Sequence, residues 1–101
     1  MPLAGNTVLS VALTPTARSA AVDVTEESYD VSAALLAQYN QTTLAVGDFV
    51  GVSTPVVDNT HVGVVGARVV DATHIAIQWG NFTAAANVPP AGTYRFLIQK
   101  A

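Results

Sequence analysis

The sequence predicts an all-β protein: a small single-domain β-sandwich or jelly-roll-like barrel of about seven short, mostly antiparallel strands. Three observations lead there. Val and Thr, both branched at Cβ, dominate together with Ala, while Glu, Lys and Arg are scarce, which suits pleated strands better than helices. Short apolar runs broken by Gly, Pro, Asn and Asp recur at about eight- to twelve-residue spacing. A length of 101 residues is one domain's worth, and no internal boundary divides it.

Taken in order, Thr7 to Leu13 reads as the first strand, closed by Thr14-Pro15-Thr16. Ala20 to Val24 alternates, with Val22 and Val24 on one face, and Tyr29, Val31 and Ala33 continue an alternating pattern after Glu26-Glu27. Ser32 to Gln41 is the one helical candidate: Ser32 stands where a cap would be, and Leu35, Leu36 and Tyr39 share a helix face. At two to three turns it reads equally as an irregular excursion. Val46-Gly47-Asp48 turns into a strand from Phe49 to Ser53, which Pro55 ends because it cannot donate to a ladder. Val62 to Val70 and His74 to Trp79 form two strands joined through Asp71-Ala72-Thr73, with Ile75, Ile77 and Trp79 on one face. Gly80-Asn81 turns the chain, Ala84 to Val88 is ambiguous, and Pro89-Pro90-Ala91-Gly92 is a loop. The last strand, Thr93 to Gln99, sets Tyr94, Phe96 and Ile98 against Arg95, Leu97 and Gln99.

Composition also limits function. Hydrophobic residues make up 50% and charged residues 11%, against roughly 25% in ordinary soluble domains. Arg18, Arg68, Arg95 and Lys100 are scattered and outnumbered by seven acids, so no basic footprint for nucleic acid exists. With zero cysteines there are no disulfides, thiolate nucleophiles or Cys-based metal sites. Met1 to Asn6 lacks the basic and apolar regions of a secretory signal. No apolar stretch approaches the roughly 18–20 residues of a membrane helix, so neither nucleic acid nor membrane is an expected partner.

Candidate chemistry is thin. Val57-Asp58-Asn59-Thr60-His61 echoes Val70-Asp71-Ala72-Thr73-His74, and a twice-repeated Asp and His suggests imidazole and carboxylate metal ligands at His61 and His74. The turn reading is favoured over metal: Asp and Thr bond nearby backbone N–H groups in a turn, and His begins the next strand. A hydrolase set drawn from Ser53, His61 or His74, and Asp48 or Asp58 has no selecting spacing and no nucleophile elbow. The carboxylates Asp23, Asp30, Asp48, Asp58, Asp71, Glu26 and Glu27 form no evident glycosidase pair, and Glu26-Glu27 reads as a solvated turn. The sequons at Asn40 and Asn81 mean little without secretion. Trp79 is expected in the core or a subunit interface. No catalytic, cofactor-binding or metal-binding residue is therefore assigned, and the chain is read as a non-enzyme without cofactor.

From Leu44 onward the sequence resembles a family of small bacteriophage proteins often encoded beside capsid genes. The resemblance runs through Leu44-Ala45-Val46-Gly47-Asp48-Phe49-Val50, Gly66-Ala67-Arg68-Val69, Thr73 to Ile77, Asn81-Phe82-Thr83-Ala84-Ala85-Ala86 and Pro90-Ala91-Gly92-Thr93-Tyr94, covering residues 44 to 98. Residues 33–43 look like an insertion relative to that pattern, as a loop or short helix. The resemblance implies a compact β-domain acting as capsid decoration (cement) or as a head-fibre component, with no catalytic residues.

The size of the chain points the same way. A domain of this size buries only about two-thirds of its unfolded surface, so a large uncharged remainder faces something. The expectation is a virion protein made in the host cytoplasm, seated on the capsid surface against the major capsid protein. By analogy with local threefold sites it is a homotrimer. Residues 1–6, as an N-terminal arm, or Ala33–Thr43 would make the contacts. The alternative is a receptor- or glycan-binding module of a tail or head fibre, using Tyr39 or Trp79 as an exposed aromatic platform.

Overall fold

A computed structural model describes residues 6–18, 23–40, 43–55, 62–81, 83 and 85–99. The elements are β1 (Asn6–Leu13), β2 (Asp23–Asp30), α1 (Ser32–Tyr39), β3 (Phe49–Ser53), β4 (Val62–Val69), β5 (His74–Asn81) and β6 (Gly92–Gln99). They build two three-stranded antiparallel sheets, β1-β6-β3 and β2-β5-β4, packed as a sandwich. Of the two architectures the sequence allows, this is the sandwich: the described strands close no barrel, and they number six. The ambiguous stretch around residues 84–88 contributes only an isolated bridge, Asn87 with Arg18.

Alternation builds the core. In β1, Leu9, Val11 and Leu13 point inward; in β6, Tyr94, Phe96 and Ile98 do; in β5, Ile75, Ile77 and Trp79 do. Trp79 and Tyr94 link the sheets edge to face, with ring centroids 6.0 Å apart and planes at 85°. Trp79 is fully buried and is a core residue.

Two strands depart from simple alternation. In β2 the inward row is Thr25, Glu27 and Tyr29, opposite Trp79, Ile77 and Ile75, while Val24 lies outside and half exposed. Val24, read as sharing a face with Val22, is on the outward face, and Val22 lies outside the described residues. The strand also stops at Asp30, so Ala33 belongs to the helix. In β4 the pairing skips Val65: Val64 faces Trp79 and Gly66 faces Gln78. This bulge reverses the parity, so Val62 and Val64 before it and Ala67 and Val69 after it all turn toward the core.

The segment read as an insertion is anchored at both ends on one turn. Val31 N–H donates to Thr73 O (2.8 Å) and Leu44 N–H to Ala72 O (2.7 Å). Between them α1 runs for eight residues with Leu35 fully buried, so the segment is a helix and not an irregular excursion. Its N-cap is Val31 rather than Ser32, with no side-chain cap bond; the Asp30 carboxylate instead accepts from Ser32 N–H at 2.9 Å. Asn40 ends it in the left-handed region at φ 54°, a conformation Asn tolerates. Leu36 and Tyr39 do not share Leu35's burial; they are 55% and 40% exposed.

Candidate functional site

Inside the sandwich, the polar row of β2 is satisfied by the chain that follows β1. The Glu27 carboxylate accepts from Tyr29 O–H (2.8 Å) and Thr16 N–H (3.1 Å) and pairs with Arg18 at 3.2 Å. Tyr29 Oη in turn accepts from the buried Trp79 indole N–H at 3.1 Å. Burial, reinforced by the neighbouring Glu27 carboxylate, pushes the Tyr29 phenol well above its ordinary value, so it stays protonated and keeps donating. The network joins β2, β5 and the Thr16–Arg18 segment across the side of the sandwich between β1 and β2. It is structural.

The residues considered for chemistry do not converge. His74 begins β5 and bonds Asp71 Oδ1 at 2.9 Å within the turn, where Thr73 N–H also donates to Asp71 at 2.9 Å. Those donors, Thr73 N–H first and His74 next, hold the Asp71 carboxyl below its usual range. This turn carries the carbonyls that receive both ends of the α1 segment, which accounts for the Asp-x-x-His spacing there. His61 and Asp58 lie outside the described residues. Ser53 stands on the outer face of the other sheet, paired across strands with Arg95, and Asp48 is buried in the turn before β3. Glu26 is not part of a turn: it sits on β2 and takes a two-point bond from Arg68 (3.0 and 2.7 Å), which lowers its carboxyl. Glu27, expected in the same solvated turn, is the inward carboxylate described above. Asp30 is likewise lowered, by the Ser32 hydroxyl and N–H. No group of three or more metal-ligating side chains occurs among the described residues. The sequon Asn81 is buried, donating to Ala85 O and accepting from Thr83, and so staples the 81–87 loop. For the glycan reading, Trp79 offers no platform, and Tyr39 donates its hydroxyl to Val8 O.

The surface that stands out is the outer face of β1-β6-β3. Register sets Val8, Leu97 and Gly51 in one row across the three strands, and Ser10, Arg95 and Ser53 in the next. Val8, Leu97 and Phe49 are 50, 37 and 58% exposed. A Cβ at Gly51 would meet Phe49 Cε2 at 3.6 Å and Leu97 Cβ at 3.8 Å, so these two flank a position with no side chain of its own, and Val8 lies beyond Leu97 in the same row. A hollow of about 390 Å³ lies there, lined by Val8, Gly51, Val52, Ser53, Arg95 and Leu97. Beside it a hollow of about 350 Å³ is lined by Ser53, Thr54, Pro55, Thr93 and Arg95. Arg95 borders both. The strand alternation of β6 signalled this face in the sequence, but the cross-strand row depends on register, which no single strand encodes.

The edge of this sheet at β1 is closed. Gln38 on α1 accepts from Ser10 N–H (3.1 Å) and donates to Ser10 O (2.6 Å), while Tyr39 covers Val8 O. These side chains occupy backbone groups that another strand would otherwise use. Comparison with protein-family models, with curated proteins and with solved structures found no match. No helix among the described residues is long and apolar enough to cross a membrane.

Proposed function

We propose that this protein is a bacteriophage capsid decoration (cement) protein, which binds the outer surface of the shell and clamps neighbouring major capsid subunits without catalysis. The observation that carries the reading is the outer face of β1-β6-β3, where Val8, Leu97 and Phe49 remain exposed, with Leu97 and Phe49 flanking Gly51. Contiguous apolar surface of this kind marks an interaction site, and covering it yields about 25 cal/mol per Å². A chain with 11% charged residues has little electrostatic means of keeping such a face solvated and apart. The resemblance over residues 44–98 supports a virion role, and a homotrimer at a local threefold site fits the same reading. Binding is noncovalent, and it stabilises the shell by adding contacts across subunit boundaries that must break when the shell ruptures. The fibre alternative is less supported, since Trp79 is buried and the Tyr39 hydroxyl is engaged on β1.

The test is co-sedimentation of purified protein with shells assembled from the major capsid protein of the same virion, with light scattering on the free protein. Saturable binding at a stoichiometry matching the shell's subunits, with a raised rupture temperature, is the expected result. Failure to sediment with shells, or a handful of copies per particle, refutes the reading; a stable monomer at micromolar concentration refutes the trimer.

A further inference from the structure

We infer that the outer face of β1-β6-β3 receives a partner surface presenting a carboxylate beside an aliphatic side chain, with Arg95 taking the carboxylate and the hollow over Gly51 taking the aliphatic group. The inference rests on the shell-binding reading and specifies the chemistry of what the shell presents. Charge complementarity carries it. Among the described residues, Arg18 is paired with Glu27 and Arg68 with Glu26, whereas Arg95 has no carboxylate within ion-pair distance. Among the described residues that guanidinium has no carboxylate partner, and it stands in the middle of a sheet face of an acidic chain as a fork of donors. The Ser10 and Ser53 hydroxyls flank it in the same cross-strand row, and Thr93 precedes it by two residues on the same side of β6.

The spacing of the two hollows fixes the partner further. Arg95 and Leu97 are neighbours on one face of β6, so the polar and apolar positions lie roughly 7 Å apart. Residues i and i+2 of an extended segment project their side chains with that same separation. Among the described residues, four of the carboxylates that a second copy could offer are already engaged within the chain. Glu26 and Glu27 are held by arginines, Asp71 by His74 and Thr73, and Asp30 by Ser32. Strand addition at β1 is blocked by Gln38 and Tyr39, so the partner lies on the face and not along that edge.

The experiment uses the full chain and the same purified shells. Arg95→Glu is expected to weaken binding roughly 30-fold or more. Arg95→Gln should weaken it less and remove most of its dependence on salt between low and physiological ionic strength. Gly51→Thr places a β-branched side chain in ordinary contact with Phe49 and Leu97, so it should keep or raise the urea midpoint while lowering affinity. Arg68→Glu, on the outer face of the opposite sheet, is the control and should bind as wild type. If wild type binds and the Arg95 and Gly51 variants bind equally well, the inference is overturned and the shell-binding reading stands. An equal loss in Arg68→Glu also overturns it, because the effect would then follow net charge and not this face. Absence of wild-type binding overturns both.

Discussion

Tyr29 shows how one hydroxyl can determine a strand's orientation. Its oxygen accepts from the buried indole of Trp79 and its proton goes to Glu27, so an apparently polar strand face turns inward with every group satisfied. No buried side-chain nitrogen or oxygen among the described residues lacks a partner. Tyr29→Phe should leave the Trp79 N–H without an acceptor and cost about 1–3 kcal/mol, read as a lowered urea midpoint at neutral pH. The same contact makes a pH signature. The folded phenol holds its proton above the ordinary value of 10.0, because ionisation would place a phenolate in a buried site beside the Glu27 carboxylate. Above about pH 10 the unfolded chain then binds fewer protons than the folded one, so stability falls as pH rises. Wild type should lose stability more steeply than Tyr29→Phe between neutral pH and about pH 11, and parallel profiles would remove Tyr29 from the alkaline transition. None of this was legible in the sequence. Val22 and Val24 marked a shared face of the strand but not which way it turns, and the network that turns it joins residues from three separate stretches.

At the level of elements, the contrast between β6 and α1 shows what local pattern can and cannot reveal. β6 was legible almost to the residue, because its alternation of Tyr94, Phe96 and Ile98 coincides with burial on one side. The helix was legible as a candidate over nearly its observed span, but its cap and its role were not. With one buried residue and no acidic first turn, α1 owes its stability to tertiary contacts more than to propensity. Its contribution is to the neighbouring strand: the Gln38 amide mimics a strand partner for Ser10 and Tyr39 does so for Val8. Gln38→Ala should therefore accelerate hydrogen exchange at the Ser10 amide while changing global stability by no more than about 1 kcal/mol. Unchanged exchange there would mean the edge is protected by something other than the helix. The candidate surface follows the same rule. Arg95 and Leu97 could be placed on one side of one strand, but their juxtaposition with Gly51 and Val8 appears only once β1, β6 and β3 are in register.

For the whole molecule, the sandwich has one side closed by α1 and by the Thr16–Arg18 segment, and another where β3 and β4 run alongside each other without pairing. A groove of about 310 Å³ follows that seam, lined by residues 49–52 and 64–67, and the Val65 bulge lies on it. A one-residue deletion inside a strand ordinarily turns every later side chain to the wrong face. Here the extra residue sits between two correctly facing halves, so removing Val65 joins Val64 directly to Gly66 and leaves each partner on β5 as it was. The Val65 deletion should fold with the same core, as seen in an unchanged Trp79 fluorescence spectrum, and a shifted, solvent-exposed spectrum would show the register had slipped. A straightened β4 would lose the local twist that the bulge adds along the seam with β3. Closing a barrel would require pairing on both sides of the sandwich, and Gln38 and Tyr39 already occupy the β1 edge, so in this chain the short helix keeps the two sheets apart whatever the edge of β4 does.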